Sequence, residues 1–460
     1  MESTVDWKEL DHFYFIGIAG TGMSALAQFL RGKGKQVSGS DRFFKVGEYN
    51  EIQAKLESHG IECFPQDGTA IRPDIDRIIV STAIEDTVAE VVKAREMGIP
   101  VQKRSELLAE IAASQFTISV GGTSGKSTTS AMIYDILRHA GLSPSIISGA
   151  GLVSLIKQGR IGNASVGDGR FLVIEADESD GSIVQYRSEL GVLLNIDKDH
   201  KELDVLTEIF KTFRDHSKLF MANRTQLLTA SLSKDAALDF SAIPGTGAAY
   251  EAAEFRQEGL RIEFQINQVP FKLQTVGKHN MENALAAAAV CHVLGVPLQT
   301  ASEALSRYEG IYRRHQVLGQ KGKVWVIDDY AHNPVKCARA IEACQPLSRK
   351  VIAWFQPHGY APTKFLRTDF VQEISRVLRP EDEIWMSEIF YAGGTTIKDI
   401  SAEDLISDIR DRGVKAYFVA DRNDLLRYLR PHLEADAVLL LMGARDPSLE
   451  AFAAQVWREL

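Results

Sequence analysis

The sequence predicts an α/β protein built from three domains, and two observations support this prediction. Short runs of β-branched and aromatic residues alternate with amphipathic stretches of helix length along almost the whole chain, which is typical of largely parallel sheets covered by helices. The chain has 460 residues, enough for about two to four domains with separate cores. Blocks that each open with a strand place the domains at residues 1–113, 114–309 and 310–460.

The local pattern predicts the main elements of each block. A short apolar run followed by glycines and an amphipathic stretch indicates a strand, a turn and a helix. Alternating apolar and polar residues between 241 and 274 predict an antiparallel hairpin inserted in the middle domain. The predicted strands are Phe13–Ile16, Gln36–Ser38, Phe116–Val120, Phe171–Ile174, Gly191–Ile196, Lys323–Ile327 and Ala437–Met442, and the predicted helices that follow the two turns are Ser24–Arg31 and Thr128–His139.

Composition excludes several classes of protein. A hydrophobic content of 45% and a charged content of 25% are ordinary for a globular chain and exclude a disordered or fibrous one. The net charge of −9 disfavours binding to nucleic acid or to an acidic membrane surface. An apolar run long enough to span a membrane is absent, and the acidic N-terminus does not resemble a signal peptide. Four scattered cysteines indicate free thiols in a reducing cytoplasm.

The first glycine-rich turn lies at residues 15–24. Gly17, Gly20 and Gly22 separate a predicted strand from a predicted helix, where backbone amides and the helix N-terminus can approach a phosphate. Asp41 follows about 20 residues later and is a candidate for contact with a ribose or a uracil. The spacing differs from the dinucleotide-binding pattern, so an NAD site is disfavoured, and a simple tight turn is the alternative.

The second glycine-rich turn, at residues 118–129, has a more specific pattern. Glycines 122 and 125 precede Lys126 and Ser127, again between a strand and a helix. Amides in such a turn cradle phosphates, the lysine neutralises their outer oxygens, and the hydroxyl ligates Mg²⁺. Val120 stands where the full eight-residue motif requires glycine, so only the shorter form of the motif is present.

Acidic residues and a histidine follow two further predicted strands. Glu175 comes directly after one strand, and His200 closes an acidic segment after the next. In a parallel sheet these strand ends meet beside the phosphate turn, where a carboxylate is expected to bind metal. His200 is a candidate for a second Mg²⁺ or for the terminal phosphate, and two metals would neutralise charge during phosphoryl transfer.

These segments resemble those of a known family. Together with residues 277–284, 312–315, 328–334 and 355–358, they resemble the Mur ligases in type and in order along nearly the whole chain. The branch that joins L-alanine to UDP-N-acetylmuramate is the most similar, along with its relative that recycles murein peptides.

The resemblance implies an N-terminal Rossmann-like domain for a UDP-sugar, a central P-loop ATPase domain and a C-terminal Rossmann-like domain that brings an amino acid. It implies an acid–amino-acid ligase of cytoplasmic peptidoglycan synthesis that works through an acyl phosphate, with ATP and Mg²⁺ as cofactors. The expected partners are a UDP-sugar carboxylate and an amino acid or peptide, with no nucleic acid and no membrane; the oligomeric state stays open.

Residue roles are implied position by position. The expected catalytic residues are Lys126, Glu175, His200 and Arg314. The expected metal ligands are Ser127, Glu175 and His200. The expected ATP-binding residues are Gly122, Thr123, Ser124, Gly125, Lys126, Ser127, Thr128, His279, Asn280, Asn283, Arg314 and Asp329. The expected substrate-binding residues are Gly20, Thr21, Gly22, Met23, Ser24, Asp41, Ser81, His332 and His358.

The C-terminal block departs from the family. Residues 359–363 lack the two arginines that grip the amino-acid carboxylate in the alanine ligases, and Lys364 and Arg367 are the nearest substitutes. Lys218 lies near a position that is carbamylated in some Mur ligases, although a solvated helix lysine is the favoured interpretation. The alternatives are therefore a ligase for a different amine or peptide, a nucleotide-sugar binding paralogue without catalysis and, least favoured, a dehydrogenase.

Overall fold

The computed structural model describes residues 5–179, 181–198, 201–391, 393, 397–433 and 436–460. These residues form four sheets in three α/β units arranged along the chain. None of the described helices is both long and apolar enough to cross a membrane. The predicted division after residue 113 falls between a helix and a strand, as does the one after residue 309, and as domain limits both stay predictions.

The N-terminal unit is a parallel five-stranded sheet with order β3-β2-β1-β4-β5. Every residue of its central strand is buried, as expected for an apolar run covered on both faces. The strands are β1 His12–Ile16, β2 Gln36–Asp41, β3 Glu62–Pro65, β4 Arg77–Val80 and β5 Val101–Lys103. The helices are α1 Thr21–Gly32, α2 Glu51–Ser58, α3 Ala89–Glu96 and α4 Arg104–Ala113, with a 3-10 turn at Trp7–Glu9.

The middle unit has a six-stranded sheet with order β11-β10-β6-β9-β7-β8, in which β8 runs antiparallel to β7 and the other pairs are parallel. The strands are β6 Phe116–Gly121, β7 Ser145–Ile147, β8 Ala164–Ser165, β9 Phe171–Ala176, β10 Ser188–Leu193 and β11 Ser217–Ala222. The helices are α5 Lys126–His139, α6 Val153–Ile156, α7 Leu203–His216, α8 Leu227–Ala230, α9 Lys278–Val293 and α10 Leu298–Leu305, with a 3-10 turn at Ser182–Gln185.

A smaller four-stranded sheet is inserted before α9. It consists of β12 Phe240–Ser241, β13 Tyr250–Glu258, β14 Arg261–Ile266 and β15 Val269–Leu273. β14 and β15 form the predicted antiparallel hairpin, and β13 adds another antiparallel strand that the sequence pattern did not reveal.

The C-terminal unit has a six-stranded sheet with order β16-β17-β21-β18-β19-β20, in which only the pairing of β16 with β17 is antiparallel among the described strands. The strands are β16 Gln316–Lys321, β17 Val324–Asp329, β18 Lys350–Gln356, β19 Glu383–Met386, β20 Ala416–Phe418 and β21 Ala437–Gly443. The helices are α11 Pro334–Cys344, α12 Tyr360–Phe365, α13 Arg367–Val377, α14 Ala402–Arg410, α15 Leu425–Leu429 and α16 Leu449–Glu459, with 3-10 turns at Gln345–Leu347, Arg422–Asp424 and Arg430–His432.

The N-terminal and middle units share one continuous apolar core. Residues of β1 and α1 belong to the same buried cluster as residues of β9 and α7. The amide of Asn163 ties the units together by donating to the Thr21 carbonyl (2.7 Å) and to the Ser24 hydroxyl (2.9 Å). A buried amide that is fully used in this way fixes the orientation of α1 on the middle unit.

One local expectation was wrong. Lys218 lies in strand β11 rather than in a helix, and its exposed side chain pairs with Glu189. Lys218 is at the start of β11, whereas the phosphate turn follows the end of the parallel strand β6. The lysine is therefore at the N-terminal ends of the parallel strands, whereas the turn is at their C-terminal ends.

Candidate active site

The second glycine-rich turn joins β6 to α5 in a conformation that requires glycine. Gly122 and Gly125 have φ of 138° and 84°, in the region that L side chains rarely adopt. A Cβ atom at Gly125 would lie 2.4 Å from the Asn283 amide oxygen. The turn delivers the chain directly to the N-terminus of α5, where unpaired amides and the helix dipole favour an anion.

Asn195, just beyond β10, braces this turn. Its side-chain oxygen accepts from the Thr123 hydroxyl and from the Ser124 amide, both at 2.8 Å, and its amide nitrogen donates to the Ser124 carbonyl at 3.0 Å. Because Asn195 is neutral, it holds the turn without cancelling the positive field of the helix end.

Lys126, the first residue of α5, is held by acidic residues. Its ammonium group donates to Glu178 at 2.7 Å and to the Gly122 carbonyl at 2.8 Å, and it lies 3.7 Å from Asp177. Burial by itself lowers the pKa of Lys126, but the carboxylates of Glu178 and Asp177 outweigh burial and raise it. Lys126 is thus a fixed cation within the turn.

Glu175, at the end of β9, faces Ser127. Its Oε2 accepts from the Ser127 hydroxyl at 2.9 Å, and its Oε1 accepts from the Ser148 hydroxyl at 2.7 Å and from the Gly149 amide at 2.6 Å. The paired oxygens of Ser127 and Glu175 suit a hard cation such as Mg²⁺, which usually takes few protein ligands and completes its shell with phosphate and water. Among the described residues no three His, Cys, Asp or Glu side chains cluster as a metal site. His200 lies outside the described residues.

These groups line one cavity of about 320 Å³ where the middle and C-terminal units meet. The cavity brings together most of the predicted ATP residues: Thr123, Ser124, Gly125, Lys126, Ser127, Thr128, His279, Asn280, Asn283, Arg314 and Asp329, with Glu175 and His332. Gly122 precedes this lining in the turn. The hydroxyl of Ser124 is buried without a described partner, so a donor or acceptor is available inside the turn.

Buried ion pairs within the C-terminal unit fix its first residues beside this junction. Asp329 Oδ2 accepts from the His315 ring (2.9 Å) and from the His315 backbone amide (2.7 Å), while Oδ1 accepts from the Ala331 amide (2.7 Å). Although burial lowers the pKa of His315, the hydrogen bond to Asp329 raises it to about 10. Burial raises the pKa of Asp329, but His315 outweighs it and brings this pKa to about 2. Asp329 is therefore occupied in fixing the junction, and its predicted contact with ATP stays a prediction.

The neighbouring arginines have distinct places. Arg313 is buried and donates to Asp328 at 2.8 Å and 3.3 Å, and to the Gly443 carbonyl at 3.1 Å. Arg314 lies over the Tyr330 ring at 4.8 Å and lines the cavity. His279 packs 5.5 Å from the His315 ring, and burial, with the charge of His315, lowers the pKa of His279 to about 3. A neutral His279 can accept a hydrogen bond from a ligand.

The first glycine-rich turn lies apart from this cavity. Asp41 Oδ2 accepts from the Ala19 amide (2.9 Å) and Oδ1 from the Phe43 amide (3.0 Å), so both carboxylate oxygens brace the chain. Ser81 follows β4, which pairs with β1 beside the turn. The other predicted substrate residues, Gly20, Thr21, Gly22, Met23 and Ser24, lie at the turn and the start of α1, where Met23 and Ser24 are buried. Contacts of this group with a ligand stay predictions.

Lys364 and Arg367, the nearest substitutes for the two missing arginines, each form an ion pair within the C-terminal unit. Lys364 pairs with Asp399 at 2.5 Å, and Arg367 binds Asp408 through two hydrogen bonds of 2.7 Å and 2.9 Å. Neither lines the cavity. His332 lines the cavity and also a small apolar pocket that contains His358.

Three family models match successive parts of the chain: the Mur ligase family catalytic domain at residues 12–116, the Mur ligase middle domain at 120–291 and the Mur ligase glutamate ligase domain at 313–445. The UDP-N-acetylmuramate–L-alanine ligase of Carboxydothermus hydrogenoformans is 32% identical, over 94% of this chain and 93% of its own length. The chain belongs to the Mur ligase family. A ligase of the same name from Microcystis aeruginosa is 33% identical to this Mur ligase, over 94% of this chain and 93% of the relative's length.

Solved structures of Mur ligases have the same architecture. The UDP-N-acetylmuramate-alanine ligase of Thermotoga maritima has a TM-score of 0.78 and 26% identity, covering 98% of this chain and all (100%) of its own. A murein peptide ligase of Psychrobacter arcticus has a TM-score of 0.66 at 20% identity, covering 97% and 98%, and shows the fold alone. The predicted family, the three-domain α/β fold and the class of ATP-dependent ligase are confirmed.

Sequence reasoning missed several residues of the site. Asn195 and Glu178 hold the phosphate turn, and His315 and Asp328 fix the start of the C-terminal unit. Asn195 could have been suspected because it follows the strand that pairs with β6. His315 could not have been suspected from its position in this way. Its partner Asp329 lies on β17, the second strand of an antiparallel hairpin.

Proposed function

We propose that this Mur ligase joins L-alanine to the carboxylate of UDP-N-acetylmuramate, using ATP, in cytoplasmic peptidoglycan synthesis. The relatives named UDP-N-acetylmuramate–L-alanine ligase align over nearly the full chain. The observation that carries the proposal is the glycine turn with Lys126 and Ser127 opposite Glu175, inside a cavity between two domains.

The proposed reaction has two steps. In the first, a substrate carboxylate oxygen attacks the γ-phosphorus of ATP, the bond to the β–γ bridging oxygen breaks, and an acyl phosphate and ADP form. In the second, the amine attacks the acyl carbon, an amide bond forms, and inorganic phosphate leaves. The first step is needed because a carboxylate is a poor electrophile without a better leaving group.

The residues of the turn would do most of the work in the first step. Lys126 and the amides at the start of α5 would hold the β- and γ-phosphate oxygens, and Lys126 would exchange Glu178 for phosphate. Arg314, which stacks on Tyr330 at the junction, would reach the same charge when the domains close. Each of these charge interactions would be stronger in a site with little water, where the effective dielectric constant is low.

Ser127 and Glu175 would hold Mg²⁺, together with His200. The metal would supply charge neutralisation at the transferring phosphoryl group. The Ser127–Glu175 hydrogen bond already places the two oxygens side by side.

The remaining parts of ATP would lie toward the C-terminal unit. Asn280 and Asn283 sit at the start of α9, and the neutral ring of His279 is close to them. Asp329 would act on ATP indirectly by holding His315 and Ala331 in place. The UDP-sugar would bind at the first glycine turn, with its carboxylate directed at the cavity.

An ADP-release assay tests the proposal. With UDP-N-acetylmuramate and Mg-ATP, we expect turnover with L-alanine above that with glycine, L-serine, D-alanine or an L-alanine-initiated tripeptide. Turnover with the tripeptide alone would indicate a murein-recycling activity. ATP binding without turnover on any amine would leave a non-catalytic binding protein and overturn the proposal.

A further inference from the structure

The C-terminal sheet has a crevice at the end of β21. The helices that follow β17 and β18 pack on one face of the sheet, whereas α16, which follows β21, packs on the other. The chain therefore diverges on either side of β21, which is where open α/β sheets bind ligands. Residues 443–446 form the rim of this crevice and enter the junction cavity through Ala444 and Arg445.

Arg445 has an unusual backbone at this rim. Its φ of 62° is a left-handed conformation that is unfavourable for a residue with a Cβ atom. Such conformations in non-glycine residues concentrate at functional sites. The side chain is exposed and lines the same cavity as Lys126 and Arg314.

The other cations around this crevice are engaged. Arg422 binds Asp446 and Gln356, so the carboxylate next to Arg445 in sequence is already used. Arg339 lies 3.8 Å from Asp197, and Lys336 also has a partner. Arg445, by contrast, makes no hydrogen bond or ion pair with any residue that the structure describes.

We propose that Arg445 binds the carboxylate of the incoming amino acid and thereby selects free amino acids as the amine substrate. This inference rests on the proposed function, because only an amide-forming ligase presents an amino-acid carboxylate to this crevice. A guanidinium can take both oxygens of a carboxylate in a planar pair. The phosphates of ATP already have Lys126, the α5 N-terminus and Arg314 on their side of the cavity.

A small apolar pocket lies beside this crevice. Its volume is about 30 Å³, and it is lined by Phe355, Pro357, Phe370 and Leu405, with His332 shared between the pocket and the cavity. The loop after β18 that carries Pro357 is adjacent to Arg445, because Gln356 pairs with Gly443. A carboxylate on Arg445 would leave room in the pocket for a small aliphatic side chain and not for a large one.

The test compares an amino acid with its uncharged amide. First the wild-type enzyme is assayed with a panel of amino acids, and the best substrate, expected to be L-alanine, is paired with its amide, L-alaninamide. For Arg445→Gly, which removes the guanidinium and suits the left-handed backbone, we expect kcat/KM for L-alanine to fall roughly 10- to 100-fold, the loss expected for a charge-assisted hydrogen-bond pair. L-alaninamide should be used equally well by both enzymes, and Arg445→Lys should recover part of the loss.

The outcomes separate the two proposals. Loss of the preference for L-alanine over L-alaninamide, with KM for ATP unchanged, supports the inference. An unchanged preference in Arg445→Gly, or a loss expressed in KM for ATP, overturns it and leaves the ligase activity standing. If the wild-type enzyme uses none of the amino acids as a substrate, the proposed function is wrong, and this inference is wrong with it.

Discussion

The molecule has two glycine-rich turns that each follow a buried central strand and open a helix, yet they are braced differently. In the first turn the carboxylate of Asp41 accepts from the Ala19 amide, so a negative charge sits within the turn. In the second turn the neutral amide of Asn195 takes this position, and Lys126 lies beside it.

The difference shows that glycine spacing does not by itself decide the charge of a turn. A carboxylate brace offsets the positive field of the helix end, whereas an amide brace preserves it. Under the proposed function, the second turn would bind the more highly charged triphosphate, and the first would bind the nucleotide sugar, which carries less charge.

Lys126→Ala is expected to have the largest effect on activity. We expect ADP release to fall roughly 10³-fold or more, because the lysine stabilises charge at the transferring phosphate. Calorimetry should show UDP-N-acetylmuramate binding unchanged. Lys126→Ala leaves the buried carboxylate of Glu178 without its cation. The double variant Lys126→Ala/Glu178→Gln therefore serves as the control for folding. Retained turnover would mean that the second turn does not hold ATP.

The junction beside the second turn predicts a pH dependence of stability. The pKa of His315 is raised from 6.5 to about 10, so its stabilising effect is fully present below pH 6.5 and is lost as the pH rises toward 10. The pKa of Asp329 is lowered from 3.8 to about 2, so its effect is present above pH 3.8 and is lost on acidification through pH 2. In urea unfolding, the advantage of wild type over His315→Gln should shrink between pH 6.5 and 8.5, by up to about 1.4 kcal/mol per pH unit. A constant difference would show that His315 is not held protonated.

Glu178→Gln removes the carboxylate that accepts a hydrogen bond from Lys126 of the second turn. The unliganded protein should lose about 2 kcal/mol of stability, because the buried Lys126 loses its hydrogen-bonded carboxylate. Mg-ATP should then raise the melting temperature of the variant more than that of wild type, since phosphate replaces the missing charge. Equal shifts in a thermal scan would contradict the exchange of Glu178 for phosphate.

A crossed pair of variants separates the two turns. Asn195→Ala should raise KM for ATP roughly tenfold, and Asp41→Ala should raise KM for the UDP-sugar by a similar factor, because each leaves turn amides without their acceptor. Each variant should leave the other KM unchanged in steady-state assays. Parallel changes in both constants would mean that the turns do not act as separate sites.

Lys218→Ala should have the smallest effect. Lys218 is 73% exposed and pairs with Glu189 at the sheet edge opposite the phosphate turn, so activity should stay within about twofold of wild type. A large loss of ADP release would revive the idea that this lysine is modified and supports a metal.

The sequence predicted the elements that rest on strong local patterns. The apolar runs of β1, β6 and β21 were recognised within a residue or two, because strands buried on both faces are continuously apolar. Helix α5 begins at Lys126, two residues earlier than expected, since the lysine and serine of the motif are themselves helical. Lys218 was misplaced because a short run after a helix carries no clear signal for a strand.

The site was predictable where residues come close in sequence. Lys126 and Ser127 are defined by the spacing of their turn, and Glu175 by its position at the end of a strand. No motif marks Asn195, Glu178 or His315, whose partners lie 71, 52 and 14 residues away in the chain. Lys364 and Arg367 looked like free cations in the sequence, but Asp399 and Asp408 occupy them in the fold.

A crystal structure of the enzyme with Mg²⁺ and a non-hydrolysable ATP analogue would show directly where the triphosphate binds. We expect the triphosphate to lie on residues 122–127, with Lys126 moved from Glu178 onto the β- and γ-phosphates and the metal beside Ser127 and Glu175. A triphosphate bound at the first glycine turn, or a Lys126 still paired with Glu178 in the complex, would show that the proposed ATP site is wrong.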